Sequence, residues 1–262
     1  MTTGREIIDF LEGFAPTRSA ESWDNVGLLL GDSAQSVTRV MTCLTLTPDV
    51  AQEAVTAGAE FIVTHHPILF RPVQSLTTAN PQGAMLLGLA QAGVAVFSPH
   101  TAFDSAVNGV NQQLAELFEL QDIAPIRPAD EENGPGSGRY GVLSTEATLG
   151  EFVRVVAEQL SAPHLSYVGD DRQRVQRVGV ACGAAAEFMS DARKLGCDVL
   201  VTGEARFHDC LEARGTGIGL VLVGHYQSER PAVESLAATL SENFPALEVW
   251  ASRTESDPLS WI

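Results

Sequence analysis

VMTCLTLTPDVAQEAVTAGAEFIVTHHPILF, residues 40–70, decides the fold class. An apolar run, Val40–Leu46, is followed by a stretch with apolar positions three and four apart, Pro48–Ala57. A glycine, Gly58, precedes a second apolar run, Phe61–Thr64, that ends in two histidines. Short apolar runs read as strands and the periodic stretch between them as a helix. The glycine closes that helix where a left-handed backbone is wanted. The segment is therefore one strand–helix–strand unit.

Working outward, the same alternation recurs. Val26–Leu30, Val94–Phe97, Val178–Cys182, Val199–Thr202 and Leu220–Val223 read as strands. Gln82–Ala92, Asn111–Phe118, Leu149–Leu160, Ala185–Leu195 and Pro231–Leu240 read as helices. Alternation of this kind predicts an α/β protein with mainly parallel strands covered by helices. Residues 178–208 align with residues 40–70 without a gap, matching Val40/Val178, Ala54/Ala192, Gly58/Gly196, Val63/Val201 and Thr64/Thr202. In each half a later apolar strand then runs into His-x-x-x-acid, His100 to Asp104 and His225 to Glu229. Two similar α/β domains related by an internal duplication are the expectation.

The stretch from Ile123 to Gly141 is rich in proline, glycine and acid and has no periodicity, so it reads as a linker or surface loop. The expected organisation is a first domain over 1–124, a linker over 125–139 and a second domain over 140–262. The C-terminal segment is free to pack on the first domain.

Composition narrows the functional classes. Lys and Arg number 16 against 33 Asp and Glu, a net charge of −17, and Lys194 is the single lysine. A nucleic-acid or anionic-membrane surface needs a basic footprint that this chain lacks. No secretory leader pattern and no long apolar run is visible, and the four cysteines show no paired spacing, so the chain is expected to be cytoplasmic. No phosphate-cradling GxxxxGKS loop and no Ser/His/Asp or Cys/His arrangement with its motif context is present. Trp23, Trp250 and Cys182 read as packing residues. Asp24-Asn25 serves either an Asx turn or the orientation of a histidine.

The histidines carry the chemistry. His65, His66, His100 and His225 follow apolar strands directly, and His208 lies just beyond one. In open α/β sheets ligands bind outside the carboxyl ends of the strands. With Asp104, Glu204 and Glu229 these residues make a mixed imidazole and carboxylate set, suited to zinc, iron or manganese. Adjacent imidazoles such as His65 and His66 can diverge toward two ions. The two His-x-x-x-acid elements put both side chains on one face where the segment is helical.

Four segments in order, Trp23-Asp-Asn-Val-Gly-Leu-Leu-Leu-Gly-Asp32, Thr64-His-His-Pro67, His100-Thr-Ala-Phe-Asp104 and Gly224-His-Tyr-Gln-Ser-Glu229, resemble the motifs of the Nif-three-like family (NGG-interacting factor three-like proteins). Its bacterial members are called GTP cyclohydrolase I type 2 homologues. The resemblance implies two α/β domains with a dinuclear metal centre in the cleft between them, assembled as a toroidal homohexamer. It implies His65, His66, Asp104, His225 and Glu229 as ligands to two divalent ions per protomer, with Glu229 bridging. The implied activity is that of a metal-dependent hydrolase with a metal-bound hydroxide as nucleophile, acting on a small molecule such as a nucleotide or phosphate ester. His208, Glu204 and His100 are then the groups that move protons. The alternative is a metal-binding regulatory or interaction module without turnover. Ala102 stands where the family often has Asn, which removes one polar group from the pocket.

Overall fold

The computed structural model describes residues 1–129 and 134–260. The chain runs α1 (Gly4–Phe14), β1 (Gly27–Leu30), β2 (Arg39–Cys43), α2 (Pro48–Ala57), β3 (Phe61–Thr64), α3 (Pro81–Gln91), β4 (Ala95–Ser98) and α4 (His100–Ser105). It continues through α5 (Val110–Leu117), β5 (Gln121–Ala124), β6 (Arg139–Thr148), α6 (Leu149–Gln159), β7 (Ser166–Val168), β8 (Arg174–Ala181) and α7 (Met189–Lys194). Then follow β9 (Val199–Thr202), α8 (Phe207–Thr216), β10 (Gly219–Leu222), α9 (His225–Asn243) and β11 (Glu248–Ala251).

Two compact units result. The first comprises Met1–Phe103 and Arg230–Ser256, the second Asp104–Glu229 and Asp257–Ile262. The division therefore does not fall at the Pro/Gly-rich stretch. Strand β5 pairs with β6, which draws residues after Phe103 into the second unit, and β11 pairs with β2, which draws the C-terminal segment into the first. Residues 130–133 of the expected linker lie outside the described residues. On either side of them Arg127 and Ser137 exchange backbone hydrogen bonds, and the Arg127 guanidinium sits 3.8 Å over the ring of Phe188.

In the first unit the strand order is β1-β4-β3-β2-β11. Helix α2 forms because Thr47 accepts from the amide of Val50, Pro48 presets its first turn, and Gly58 at φ 70° ends it. It buries Val50, Ala51 and Ala54 against Met41, Cys43 and Ile62 of the sheet, with Leu86 and Leu89 of α3 completing the core. Strand β3 reads as an unbroken apolar run because it is central and covered on both faces, and all four of its residues are buried.

The second unit has the order β5-β6-β8-β9-β10-β7, with a core around Ala181, Leu200, Leu220, Met189, Ala192 and Ala213. Its parallel pairs are β8 with β9 and β9 with β10, while β5, β6 and β7 pair antiparallel. The first sheet is mainly parallel, as expected, with only β1 antiparallel to its neighbour β4, whereas the second is mixed. Strand β6 lacks an apolar signature because three consecutive residues of it, Ser144 to Glu146, are polar and exposed. The strand registers of the two gaplessly aligned segments coincide: Val40 faces Phe61 and Val178 faces Val199, 21 residues on in each case.

Several helices differ from expectation, among them α8, which is absent from the expected set. The Ala185–Leu195 stretch breaks into a 3₁₀ turn, Ala186–Phe188, and the short α7. Helix α9 starts at His225 and runs through Pro231, which the sequence suggested as its beginning. Helix α1 was hidden in a short N-terminal stretch, yet it carries a capping box between Thr3 and Glu6. Among the described residues no helix is long and apolar enough to cross a membrane.

Candidate functional site

Donor residues gather in each unit. In the first, His65 and His66 extend β3 by one step, their amides donating to the carbonyls of Cys43 and Leu44. The Ser98 hydroxyl donates to the carbonyl of His65 at 2.7 Å, tying the end of β4 to the same point. His100 opens α4 with φ at 31°, an uncommon left-handed value for a non-glycine residue. One ring nitrogen from each of His65, His66 and His100 lies within 4.8 Å of the other two.

Two of these rings are oriented from behind. The Thr45 hydroxyl lies 2.7 Å from Nδ1 of His66, and Oδ1 of Asp24 lies 2.7 Å from Nδ1 of His100. Each contact occupies Nδ1 and turns Nε2 away from it. Burial by itself would raise the Asp24 carboxyl, but the His100 ring and the Thr101 hydroxyl hold it down at about 2. The Asp24 carboxylate also accepts from the amides of Thr101 and Asn25. The orienting reading of Asp24 is therefore the one realised. Asn25 donates instead to the carbonyl of Leu69, at 2.9 Å. Trp23 is 60% exposed and stands edge-on to Phe70 and His100, so it is not a packing residue, whereas Trp250 packs on the core of its unit.

The second unit supplies Asp104, His225 and Glu229. Glu229 is buried and carries an oxygen 3.1 Å from Nε2 of His225, one helical turn earlier on α9. A carboxylate oxygen of Asp104 lies within 4.8 Å of one of Glu229. Glu204, exposed in the turn after β9, reaches Nδ1 of His225 at 3.0 Å. The Glu229 carboxylate pushes His225 up to about 9 against the opposing effect of burial, with Glu204 adding to the rise. His208 sits exposed on α8 beside Phe207 and joins none of these donor groups.

Backbone shape makes room for the acids. Gly183 follows β8 at φ 66°, and a Cβ there would lie 2.4 Å from Oε1 of Glu229. Its carbonyl accepts from the amides of Gly203 and Glu204 and from the Thr202 hydroxyl, while its amide donates to Ser228. Cys182, just before it, is buried, and its thiol donates to Oδ1 of Asp104 at 3.1 Å. Burial, reinforced by the charges of Asp104 and Glu229, pushes that thiol up, so the sulfur keeps its proton.

This donor chemistry fits a divalent cation. Three clustered imidazoles would repel one another if protonated, and a buried carboxylate beside a second one is costly without positive charge. Imidazole and carboxylate together suit zinc, iron or manganese. Thr45, Asn111, Cys182 and Ser228 were invisible as contributors, because their partners lie far away in the chain and no local pattern marks them.

A family profile described as Duf34/NIF3 (NGG1p interacting factor 3) matches residues 2–258. A Clostridium perfringens protein named GTP cyclohydrolase 1 type 2 homolog is 32% identical over 260 residues, covering 98% of each chain. NIF3-like protein 1 of Drosophila melanogaster is 30% identical, covering 97% of this chain and 87% of its own. The crystal structure of Staphylococcus aureus protein SA1388 superposes with a TM-score of 0.89 at 27% identity, covering 100% of this chain and 99% of that one. The chain belongs to the Duf34/NIF3 family.

Proposed function

We propose that the protein is a dinuclear-metal-dependent hydrolase whose ligands would be His65, His66, Asp104, His225 and Glu229. The meeting of His65 and His66, with Nδ1 of His66 already engaged by the Thr45 hydroxyl, carries this reading, and the His100 ring lies close by. Metal-binding histidines characteristically have their second nitrogen held in this way. Buried Glu229 beside His225 supports it from the other donor set.

Two bound divalent ions would supply a lowered pKa for water and positive charge for a substrate oxygen. The remaining work falls to the chain. Asp24 fixes the ring of His100, which presents Nε2 as a proton carrier. Glu204 and His208 are exposed groups able to pass a proton to or from solvent. With three carboxylates nearby, an anionic substrate binds only when cations outweigh them. A nucleotide or phosphate ester is the substrate class, and the relatives' name makes GTP ring opening one reaction to try. A homohexamer is the assembly, testable by analytical ultracentrifugation.

The test is metal content by mass spectrometry on wild type and Glu229→Ala, purified without chelator or histidine tag. About two ions per protomer in wild type and at most one in the variant are expected for a two-metal site. No tight binding in either protein after refilling with Zn²⁺, Fe²⁺ or Mn²⁺ would overturn the reading and leave an interaction module. With metal established, phosphate esters, nucleotides and GTP are assayed for turnover.

A further inference from the structure

Asp104 is approached from behind by two residues that the hydrolytic reading leaves without a role. The Cys182 thiol donates to its Oδ1 at 3.1 Å, bridging the end of β8 and α4. Asn111, on α5 and only 4% exposed, then locks the pair together. Its Oδ1 accepts from the amide of Cys182 at 2.8 Å, and its Nδ2 donates to the carbonyl of Asp104 at 3.0 Å. The orientation of that amide is unambiguous, since one partner can only donate and the other can only accept. A thiol and an aspartate 78 residues apart in sequence are therefore held in register by a side chain that bonds the backbone of both.

We infer that Cys182 is a positioning residue for the metal centre: its thiol, on a backbone held by Asn111, fixes the orientation of the Asp104 carboxylate toward a cation. The inference rests on the proposal that Asp104 is a ligand. A sulfur usually thought of as a nucleophile or ligand is here buried and donates to a carboxylate.

The experiment uses the full chain, with Co²⁺ as the probe. In Cys182→Ala the Asp104 carboxylate loses this hydrogen bond and turns from its wild-type orientation, so the visible d–d absorption of bound Co²⁺ changes in position and intensity. Affinity falls about tenfold, the lower end of what loss of a ligand's supporting partner costs. Cys182→Ser restores a donor at the same place and returns the spectrum and the affinity to within about threefold of wild type, a rescue that a mere packing role would not show. A Cys182→Ala protein with the wild-type spectrum and affinity overturns the inference, provided Asp104→Asn has lost affinity. If Asp104→Asn binds Co²⁺ as wild type does, Asp104 is not a ligand, and both readings fall.

Should Cys182→Ala fail to fold, the S–H stretching band answers independently. The infrared difference between wild type and Cys182→Ser isolates this thiol from Cys43, Cys197 and Cys210. A frequency lowered by hydrogen bonding, shifting again when Zn²⁺ is added, is the expected result. A band at the free-thiol frequency, unmoved by Zn²⁺, overturns the proposal.

Discussion

Asp24 and His100, 76 residues apart, meet through Oδ1 and Nδ1 at 2.7 Å, and the aspartate carboxylate is fully buried in making the contact. The same carboxylate gathers the amides of Asn25 and Thr101, so one side chain ties the segment before β1 to the start of α4. His100 occupies an uncommon backbone conformation at that start, and bonds of this kind are what hold a residue there.

Asp24→Asn should therefore act twice. An amide turns one acceptor into a donor that faces other donors, at a cost of about 2 kcal/mol in urea denaturation. Released from the carboxylate, the His100 ring loses its fixed tautomer, and any turnover that uses it as a proton carrier should fall about tenfold. A variant unchanged in both measurements would show that the contact is incidental.

Gly183 tests the shape of the acid pocket. An alanine Cβ there would stand 2.4 Å from Glu229 Oε1, on a backbone at φ 66°. The expected outcome of Gly183→Ala is displacement of Glu229 and a drop in metal affinity of about tenfold or more, read by titration with Zn²⁺. The far-UV spectrum should remain that of wild type, since the glycine lies outside both strands it joins.

Arg139 is buried and spends its guanidinium on the carbonyls of Gly136, Gly138, Ser105 and Ala106 and on Oε1 of Gln112. Ser105 and Ala106 are the carboxyl end of α4, next to Asp104. Replacement by leucine strands these acceptors and should cost about 3 kcal/mol. Lysine should recover little of it, because a point charge cannot match a planar fork of donors. Thermal melts of the two variants that match wild type would contradict this.

Glu53 sets an acid limit on the first unit. It accepts from the Ser252 and Thr254 hydroxyls and the amides of Arg253 and Thr254, fastening the segment after β11 to α2. Burial opposes the shift, but the Ser252 hydroxyl and these amides bring the carboxyl down from 4.5 to about 2. A depressed folded value stabilises above the unfolded value and loses that contribution as pH falls through the folded one. Glu53 should thus contribute about 1 kcal/mol at neutral pH, after allowance for solvent screening, and progressively less from pH about 4.5 down to 2. Urea melts of wild type and Glu53→Gln should converge over that range; a gap that stays constant with pH would refute the assignment.

How much of this was legible beforehand follows from range along the chain. Strand β3, helix α2, the glycine that ends it and the histidines after it all depend on neighbours within a few residues, and they stand where the pattern of residues 40–70 places them. The i, i+4 spacing of His225 and Glu229 likewise became one face of a helix. Helix α9 was misjudged at its start because proline commonly opens helices, while here Pro231 lies inside one.

What the amino-acid order determined by itself is the α/β alternation, the position of all the histidines but His164 at or just beyond a strand end, and the family to which those motifs belong. Only the tertiary structure decided that β11 joins the sheet of the first unit, and that Asp24 holds His100. It alone decided that Cys182 and Asn111 hold Asp104. Helical period and strand alternation are written by adjacent residues, whose geometry repeats every few positions. A hydrogen bond between side chains more than 70 residues apart exists only once two sheets' worth of apolar surface has been buried, and nothing periodic in the sequence announces it.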